Sequence, residues 1–97
     1  MKHFIIRIDY LVPLQKIEAI LSEHRQFLQE GYDEGILLFS GPMNPRTGGI
    51  VGARSESVEE IQKFFSRDPF YTNKAAEYSF TEFDPVKHQD FLKEWIS

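Results

Sequence analysis

The stretch IEAILSEHRQFL, residues 17–28, repeats apolar side chains at the spacing of an α-helix. Four residues stand at positions i, i+4, i+7 and i+11 and so share one side of a helix: Ile17, Leu21, His24 and Leu28. His24 therefore interrupts an apolar stripe and should face the interior. A titratable ring at such a position costs stability unless a polar group meets it. The stretch thus predicts a buried partner for His24.

The helix that carries His24 has start and stop signals in the sequence. Pro13 suits the first turn of a helix, because its missing N–H would be unpaired there in any case. Gly31 and Gly35 favour a helix end near Asp33. The sequence therefore predicts one long helix in the first third of the chain.

Four segments have the patterns of β-strands: residues 3–10, 36–40, 49–54 and 77–83. The first and last alternate apolar and polar residues, whereas 36–40 is continuously apolar and predicts a central strand that is buried on both faces. The proline- and glycine-rich stretch 41–49 predicts the loop before the third strand. Gly52 inside that strand indicates a bulge or the close approach of another group.

Helix-cap signals predict the remaining helices. Ser57 with Glu60 forms a capping box before a second helix, in which four residues should face the core: Val58, Ile61, Phe64 and Phe65. The pair Asp68–Pro69 predicts a cap and a short helical turn. The pair Asp84–Pro85 repeats that signal and predicts a last helix with an apolar stripe: His88, Phe91, Leu92, Trp95 and Ile96.

The predicted order is strand, helix, strand, strand, helix, strand and a C-terminal helix. Two right-handed crossovers then give an α+β, ferredoxin-like domain over residues 1–97, with a four-stranded antiparallel sheet. Both long helices would cover one face of the sheet and leave apolar residues on the other, where only the tail could cover them. A second copy of the chain would bury that face, so we expect a homodimer.

The composition excludes several classes of protein. The chain has 97 residues, no cysteine and a net charge of −4. Without cysteine there are no disulfides, thiolate metal sites or cysteine nucleophiles, and the cytoplasm is the expected compartment. No apolar run approaches the roughly 20 residues that span a bilayer. We therefore expect no membrane partner.

A nucleic-acid partner is not expected either. An acidic chain is poorly suited to gripping phosphate backbones. An RNA-recognition module shares the predicted order of elements, but it needs exposed aromatic residues on its third strand and a basic face. The third strand here reads GIVGAR.

His24 and Asp68 are the candidate catalytic pair. Each has a structural explanation by itself, because His24 can be a satisfied buried histidine and Asp68 a helix cap. In this fold the end of the second helix lies beside the middle of the first, so the Asp68 carboxylate can also hold the His24 ring. Such a pair works as a general base or acid. Ser40, at the end of the second strand, can donate to a ligand oxygen or satisfy loop amides instead.

The other polar residues give weaker signals. Arg46 at the loop tip is expected to be solvated, and His3 and His88 are expected to lie on the surface. No two of the three histidines have metal-ligand spacing, and no nucleotide-binding glycine motif occurs. We therefore expect neither a metal ion nor a cofactor.

Three runs resemble the YCII-related (YciI-like) family of the dimeric α/β-barrel superfamily: VPLQKIEAILSEHRQFL, GILLFSGPMNPRTGGIVGARSESVEEIQKFFSRDPF and AEYSFTEFDP. The most specific parts are the helical His24, the SGP of Ser40–Pro42, the RTGG of Arg46–Gly49 and the DPF of Asp68–Phe70. The resemblance implies a ferredoxin-like fold, a homodimer and a pocket between helices and sheet. It also implies that His24 and Asp68 match the proposed catalytic pair of the family, and Ser40 a pocket hydroxyl.

The resemblance further implies cofactor-free proton transfer on a small organic ligand. One relative is a dehydrochlorinase of a chlorinated aromatic diol, and the superfamily includes muconolactone isomerase. Our hypothesis is an isomerase, lyase or dehydrochlorinase in which His24 moves a proton and Asp68 orients its ring. Substrate contacts and apolar walls are expected from other residues: Ser40, Gly41, Pro42 and Phe70, with Phe39 or Tyr10. The alternative is a ligand-binding or regulatory dimer that uses the same pocket without turnover.

Overall fold

The structure, a computed structural model, describes residues 1–97. Four strands and three helices form the body of the chain: β1 (Lys2–Tyr10), α1 (Leu14–Asp33), β2 (Leu37–Pro42), β3 (Gly48–Ser55), α2 (Val58–Phe65), α3 (Pro69–Thr72) and β4 (Ala76–Phe83). The tail adds a 3-10 turn, Asp90–Leu92, and the short helix α4, Lys93–Ile96. No helix combines the length and the apolar character needed to cross a membrane.

The four strands form one antiparallel sheet in the order β2-β3-β1-β4. This order places the first and third strands at the centre, as two interlocked crossovers require. The α+β, ferredoxin-like fold predicted from the sequence is therefore confirmed. The boundaries of α1, β3 and β4 agree with the predicted ones to within a few residues.

The core lies between the sheet and the helices. Phe4, Ile6 and Ile8 alternate along β1 and are almost completely buried, because they face α1 and α2 rather than solvent. The apolar stripe of α1 supplies Ile17 and Leu28 to the same cluster. Burial of each such side chain contributes about 1.5–3 kcal/mol to stability. The alternation of β1 and the helical period of α1 therefore determine how α1 packs on the sheet, and with it the position of His24.

The prediction of β2 as a central strand is wrong. β2 lies at the edge of the sheet, and only Leu37 is buried. A bulge between Leu37 and Phe39 turns these two side chains to opposite faces of the sheet. The continuous apolar run therefore does not mean that both faces of β2 are buried. The close approach predicted at Gly52 is confirmed, because a Cβ there would lie 2.6 Å from the ring of Phe39.

The predicted C-terminal helix is present, but it is short and begins later than predicted. No helix begins at Asp84–Pro85, and helical structure is limited to the last residues of the chain. The tail instead folds over part of the sheet face opposite α1. It is held there by Arg54, whose guanidinium lies 4.0 Å from the ring centre of Trp95 and donates to the carbonyl oxygen of Trp95. Packing against the sheet therefore overrides the helical spacing of the apolar residues.

The position of the tail also corrects the prediction for His3. His3 is 7% exposed, because it lies on the sheet face that the tail covers, in a cavity shared with Trp95. His88 is exposed, as predicted. The returning chain end thus buries a histidine whose place near the start of a strand predicts a solvated side chain.

Candidate functional site

The buried partner of His24 is Asp68. α1 presents the ring from its inward face, and Asp68 stands at the N-terminal cap of α3. The distance from Nδ1 of His24 to Oδ1 of Asp68 is 2.7 Å. His24 is 7% exposed and Asp68 is fully buried. The structure thus brings together the two residues that were predicted from the sequence to form a pair.

Asp68 serves as a helix cap at the same time. Its Oδ1 also accepts a hydrogen bond from the backbone N–H of Phe70, at 3.0 Å, and its Oδ2 accepts one from the phenol of Tyr78, at 2.5 Å. A buried carboxylate is costly unless its charge is compensated. Three donors on two oxygens provide that compensation, so Asp68 caps α3 and holds the His24 ring at the same time.

Tyr78 is a site residue that the sequence reasoning missed. Burial raises the pKa of the Tyr78 phenol far above its ordinary value, and the negative charge of Asp68 and the hydrogen bond to it raise it further. The phenol therefore stays protonated and remains a donor. The alternation of β4 did place Tyr78 on the buried face, and a buried phenol usually needs a partner, which is the signal that could have found it.

The contacts of the His24 ring determine which nitrogen is free. A carboxylate can only accept, so a neutral His24 that bonds Asp68 carries its hydrogen on Nδ1 and keeps a lone pair on Nε2. The ring also stacks on Phe70, with 3.8 Å between ring centres and 5° between planes. Together the two contacts fix both the tautomer and the orientation of the imidazole.

A cavity of about 170 Å³ lies between α1, α3 and the sheet. Its lining contains every predicted site residue except Asp68, which lies behind His24: His24, Ser40, Gly41, Pro42 and Phe70. Tyr10 lines it too, as predicted. Phe39 does not, since the bulge in β2 turns this ring to the opposite face of the sheet.

Ser40 reaches the cavity from β2. Its hydroxyl shares a hydrogen bond with the phenol of Tyr32, with 2.7 Å between the oxygens. Tyr32 lies near the end of α1 and was not singled out from the sequence, because its partner is brought near only by the turn between α1 and β2. Ser40 is thus held by a polar neighbour and keeps a second hydrogen-bonding position for a ligand.

Arg46 is not the solvated residue that was predicted. It lines the cavity, and its Nη1 donates to Oε1 of Glu18 at 3.1 Å. Its Nε is buried without a hydrogen-bond partner. The loop between β2 and β3 folds against α1, which could not be foreseen from the composition of the loop. No group of three or more His, Cys, Asp or Glu side chains is arranged to hold a metal ion.

Comparison with known proteins identifies the family. Residues 1–84 match the family described as YCII-related domain, and no curated protein sequence matches significantly. Among solved structures, the chain is similar to 5-chloro-2-hydroxyhydroquinone dehydrochlorinase from Burkholderia phenoliruptrix AC1100, solved in complex with 2,5-dihydroxybenzoquinone. The two chains share 21% identity with a TM-score of 0.69, over 94% of this chain and 98% of the other, so the likeness is one of fold. The protein described here belongs to the YCII-related domain family.

Proposed function

We propose that this protein is a small-molecule enzyme that performs cofactor-free acid–base chemistry with His24 and Asp68. The observation that carries the proposal is the 2.7 Å contact between Nδ1 of His24 and the fully buried Asp68, made by a ring that also lines a cavity. A histidine held by a carboxylate in this way is an effective general base. A purely structural histidine would have no need of a cavity beside it.

In the proposed mechanism, Nε2 of His24 takes a proton from a carbon or oxygen atom of the ligand. Asp68 stabilises the imidazolium that forms, while Ser40 donates a hydrogen bond to the ligand oxygen on which negative charge develops. Return of the proton to a different ligand atom completes an isomerisation. Departure of a leaving group with its bonding electron pair completes an elimination instead.

The size of the cavity favours a compound with a single ring. A cavity of about 150 Å³ holds a benzene molecule, and the volume here is about 170 Å³. The structural neighbour is named for a hydroxylated aromatic substrate, which supports small phenols as the first compounds to test. Lactones of similar size are the second group.

The test is a screen of phenols and lactones for thermal stabilisation, followed by NMR detection of deuterium exchange into the ligand or of product. We expect His24→Asn to lower the rate by about 10²–10⁴-fold, because its amide nitrogen lies near the position of Nδ1 and can still donate to Asp68 but cannot take up a proton. His88→Asn, at an exposed histidine, is the matched control. Stabilisation by a ligand with neither exchange nor product would contradict turnover and favour the alternative of a non-catalytic binding dimer.

We further propose that the protein is a homodimer in the cytoplasm, where a chain without cysteine needs no oxidising environment. Phe39 and Phe83 remain 48% and 42% exposed on the side of the sheet opposite α1, and a second copy would bury them. Light scattering should give twice the chain mass of 11.4 kDa. A mass of one chain at all concentrations would contradict the dimer.

A single substitution tests the proposed dimer surface. Thr81 is exposed and pairs with Ile5, so it points to the sheet face opposite the core residues Phe4 and Ile6. Thr81→Arg should give a folded monomer, because two copies of a buried arginine would repel each other. The exposed Thr72 on α3 is the control position, where Thr72→Arg should leave the mass unchanged.

A further inference from the structure

The charged residues that line the cavity beside His24 are all cationic. Arg25 and Arg46 both contribute to its wall, and no carboxylate does. This is unexpected from the composition, because the chain has 15 acidic and 11 basic residues. The charged side chains that a ligand in the cavity would meet are therefore opposite in sign to the net charge of the protein, while the carboxylates of Glu18 and Asp68 stand behind the lining.

Arg46 also has unused hydrogen-bonding capacity. A guanidinium has five N–H donors, and Arg46 uses one side-chain bond, from Nη1 to Glu18. Its Nε is buried and makes no hydrogen bond. A buried donor without an acceptor is unfavourable, and the Arg46 side chain is 32% exposed, so a turn of the guanidinium toward a ligand acceptor in the cavity would relieve that cost. An ionised acceptor would gain most, since hydrogen bonds between charged groups are the strongest.

The ion pair with Glu18 does not prevent Arg46 from binding a ligand anion. The Glu18 side chain is 60% exposed, and an exposed ion pair contributes little to stability. A ligand anion could therefore share the guanidinium with Glu18 or displace it at small cost. Arg25, which is exposed on α1 at the same cavity, would add a second positive charge.

We propose that Arg46, assisted by Arg25, is the specificity-determining residue of the site and selects ligands that carry a carboxylate or phenolate. This inference rests on the proposed function, because it takes the cavity beside His24 to be the ligand site. The anionic group lies at the Arg46 end, and the ring of the ligand packs on the apolar wall that includes Phe70 and Leu21. Ser40 and Nε2 of His24 then act on another part of the ligand.

The experiment compares two probes of the same shape, benzoate and benzamide, by calorimetry at low salt. The wild-type protein should bind benzoate at least tenfold more tightly than benzamide, and Arg46→Gln should bring the two affinities close together. Arg67→Gln should keep the preference, because Arg67 pairs with Glu30 outside the cavity. Shifts of the Gly41 and Gly49 amide resonances on addition of benzoate should place the probe in this cavity.

Arg25→Gln provides a second variant that leaves the loop between β2 and β3 intact, and it should lower the preference severalfold. Equal affinity of the wild-type protein for the two probes, no binding of benzoate at millimolar concentration, or an unchanged preference in Arg46→Gln would overturn the inference. None of these results depends on turnover. Failure of the proposed function is instead seen when a ligand binds beside His24 but undergoes no exchange or conversion.

Discussion

Replacement of Asp68 by alanine is expected to lower the free energy of unfolding by about 3–5 kcal/mol, the range typical of breaking a buried charged pair. The substitution removes the acceptor for three donors at once: the imidazole of His24, the phenol of Tyr78 and the backbone N–H of Phe70. Each would lose its acceptor in a buried or part-buried position. Since domains of this size have about 5–15 kcal/mol of stability, the loss is a large fraction of the total.

Urea unfolding monitored by circular dichroism measures this loss. Asp68→Asn keeps the shape of the side chain and most of its hydrogen bonds, so it should cost less and should stay folded if the alanine variant does not. Asp90→Ala, at an exposed position in the tail, should change the midpoint very little. A loss below about 1 kcal/mol for Asp68→Ala would mean that the buried carboxylate is not compensated as described.

Tyr78→Phe should cost about 1.5–3 kcal/mol near neutral pH, the range for a hydrogen bond to a charged group. The phenylalanine ring fills the same space, so the loss reports the missing donor to Oδ2 of Asp68 rather than a cavity. Tyr71→Phe is the matched control, because Tyr71 is exposed and its hydroxyl makes no hydrogen bond to another side chain.

The cost of Tyr78→Phe should depend on pH in a defined direction. Burial, followed by the charge of Asp68, raises the pKa of Tyr78 above its ordinary value of 10.0, so the folded protein holds this proton more tightly than the unfolded chain. The stabilisation is complete below about pH 10 and declines above it, by up to roughly 1.4 kcal/mol per pH unit. The difference between wild type and Tyr78→Phe should therefore shrink as the pH rises beyond 10. A gap that widens would contradict the assigned contact.

Short-range patterns predicted the pair at the centre of the site. The helical spacing around His24 showed which way the ring points, and the sequence Asp68–Pro69 located a cap with a free carboxylate oxygen. In the ferredoxin-like fold the end of the second helix lies beside the middle of the first, so the two side chains could meet. Neither signal was decisive alone, and the contact was predicted because the local patterns and the fold agreed.

Residues whose role depends on a distant packing contact were not predictable in the same way. Tyr78 meets Asp68 only because β4 lies at the sheet edge above α3, and Arg46 meets Glu18 only because a loop folds back on α1. The start of the C-terminal helix was mispredicted for a related reason. The apolar spacing of the tail suits a helix, but the sheet face and Arg54 offer more burial and hydrogen bonding to an irregular chain.

The dual role of Asp68 links the stability of the protein to its proposed chemistry. The carboxylate that caps α3 also accepts a hydrogen bond from Tyr78 and holds the ring of His24. A substitution at Asp68 should therefore both lower the free energy of unfolding and change the tautomer preference of the His24 imidazole. Substitutions of His24 or Arg46 should alter ligand chemistry with a smaller effect on folding, since neither has more than one side-chain hydrogen bond.

The tautomer of the neutral His24 ring tests the central claim most directly. It can be read from the two ring nitrogen resonances in an NMR experiment that correlates them with the carbon-bound ring protons. We predict hydrogen on Nδ1 and a free Nε2 in the wild-type protein, with a weaker preference in Asp68→Asn, whose amide can offer either oxygen or NH₂. A wild-type ring that carries its hydrogen mainly on Nε2 would contradict the account, because Asp68 would then not be its acceptor.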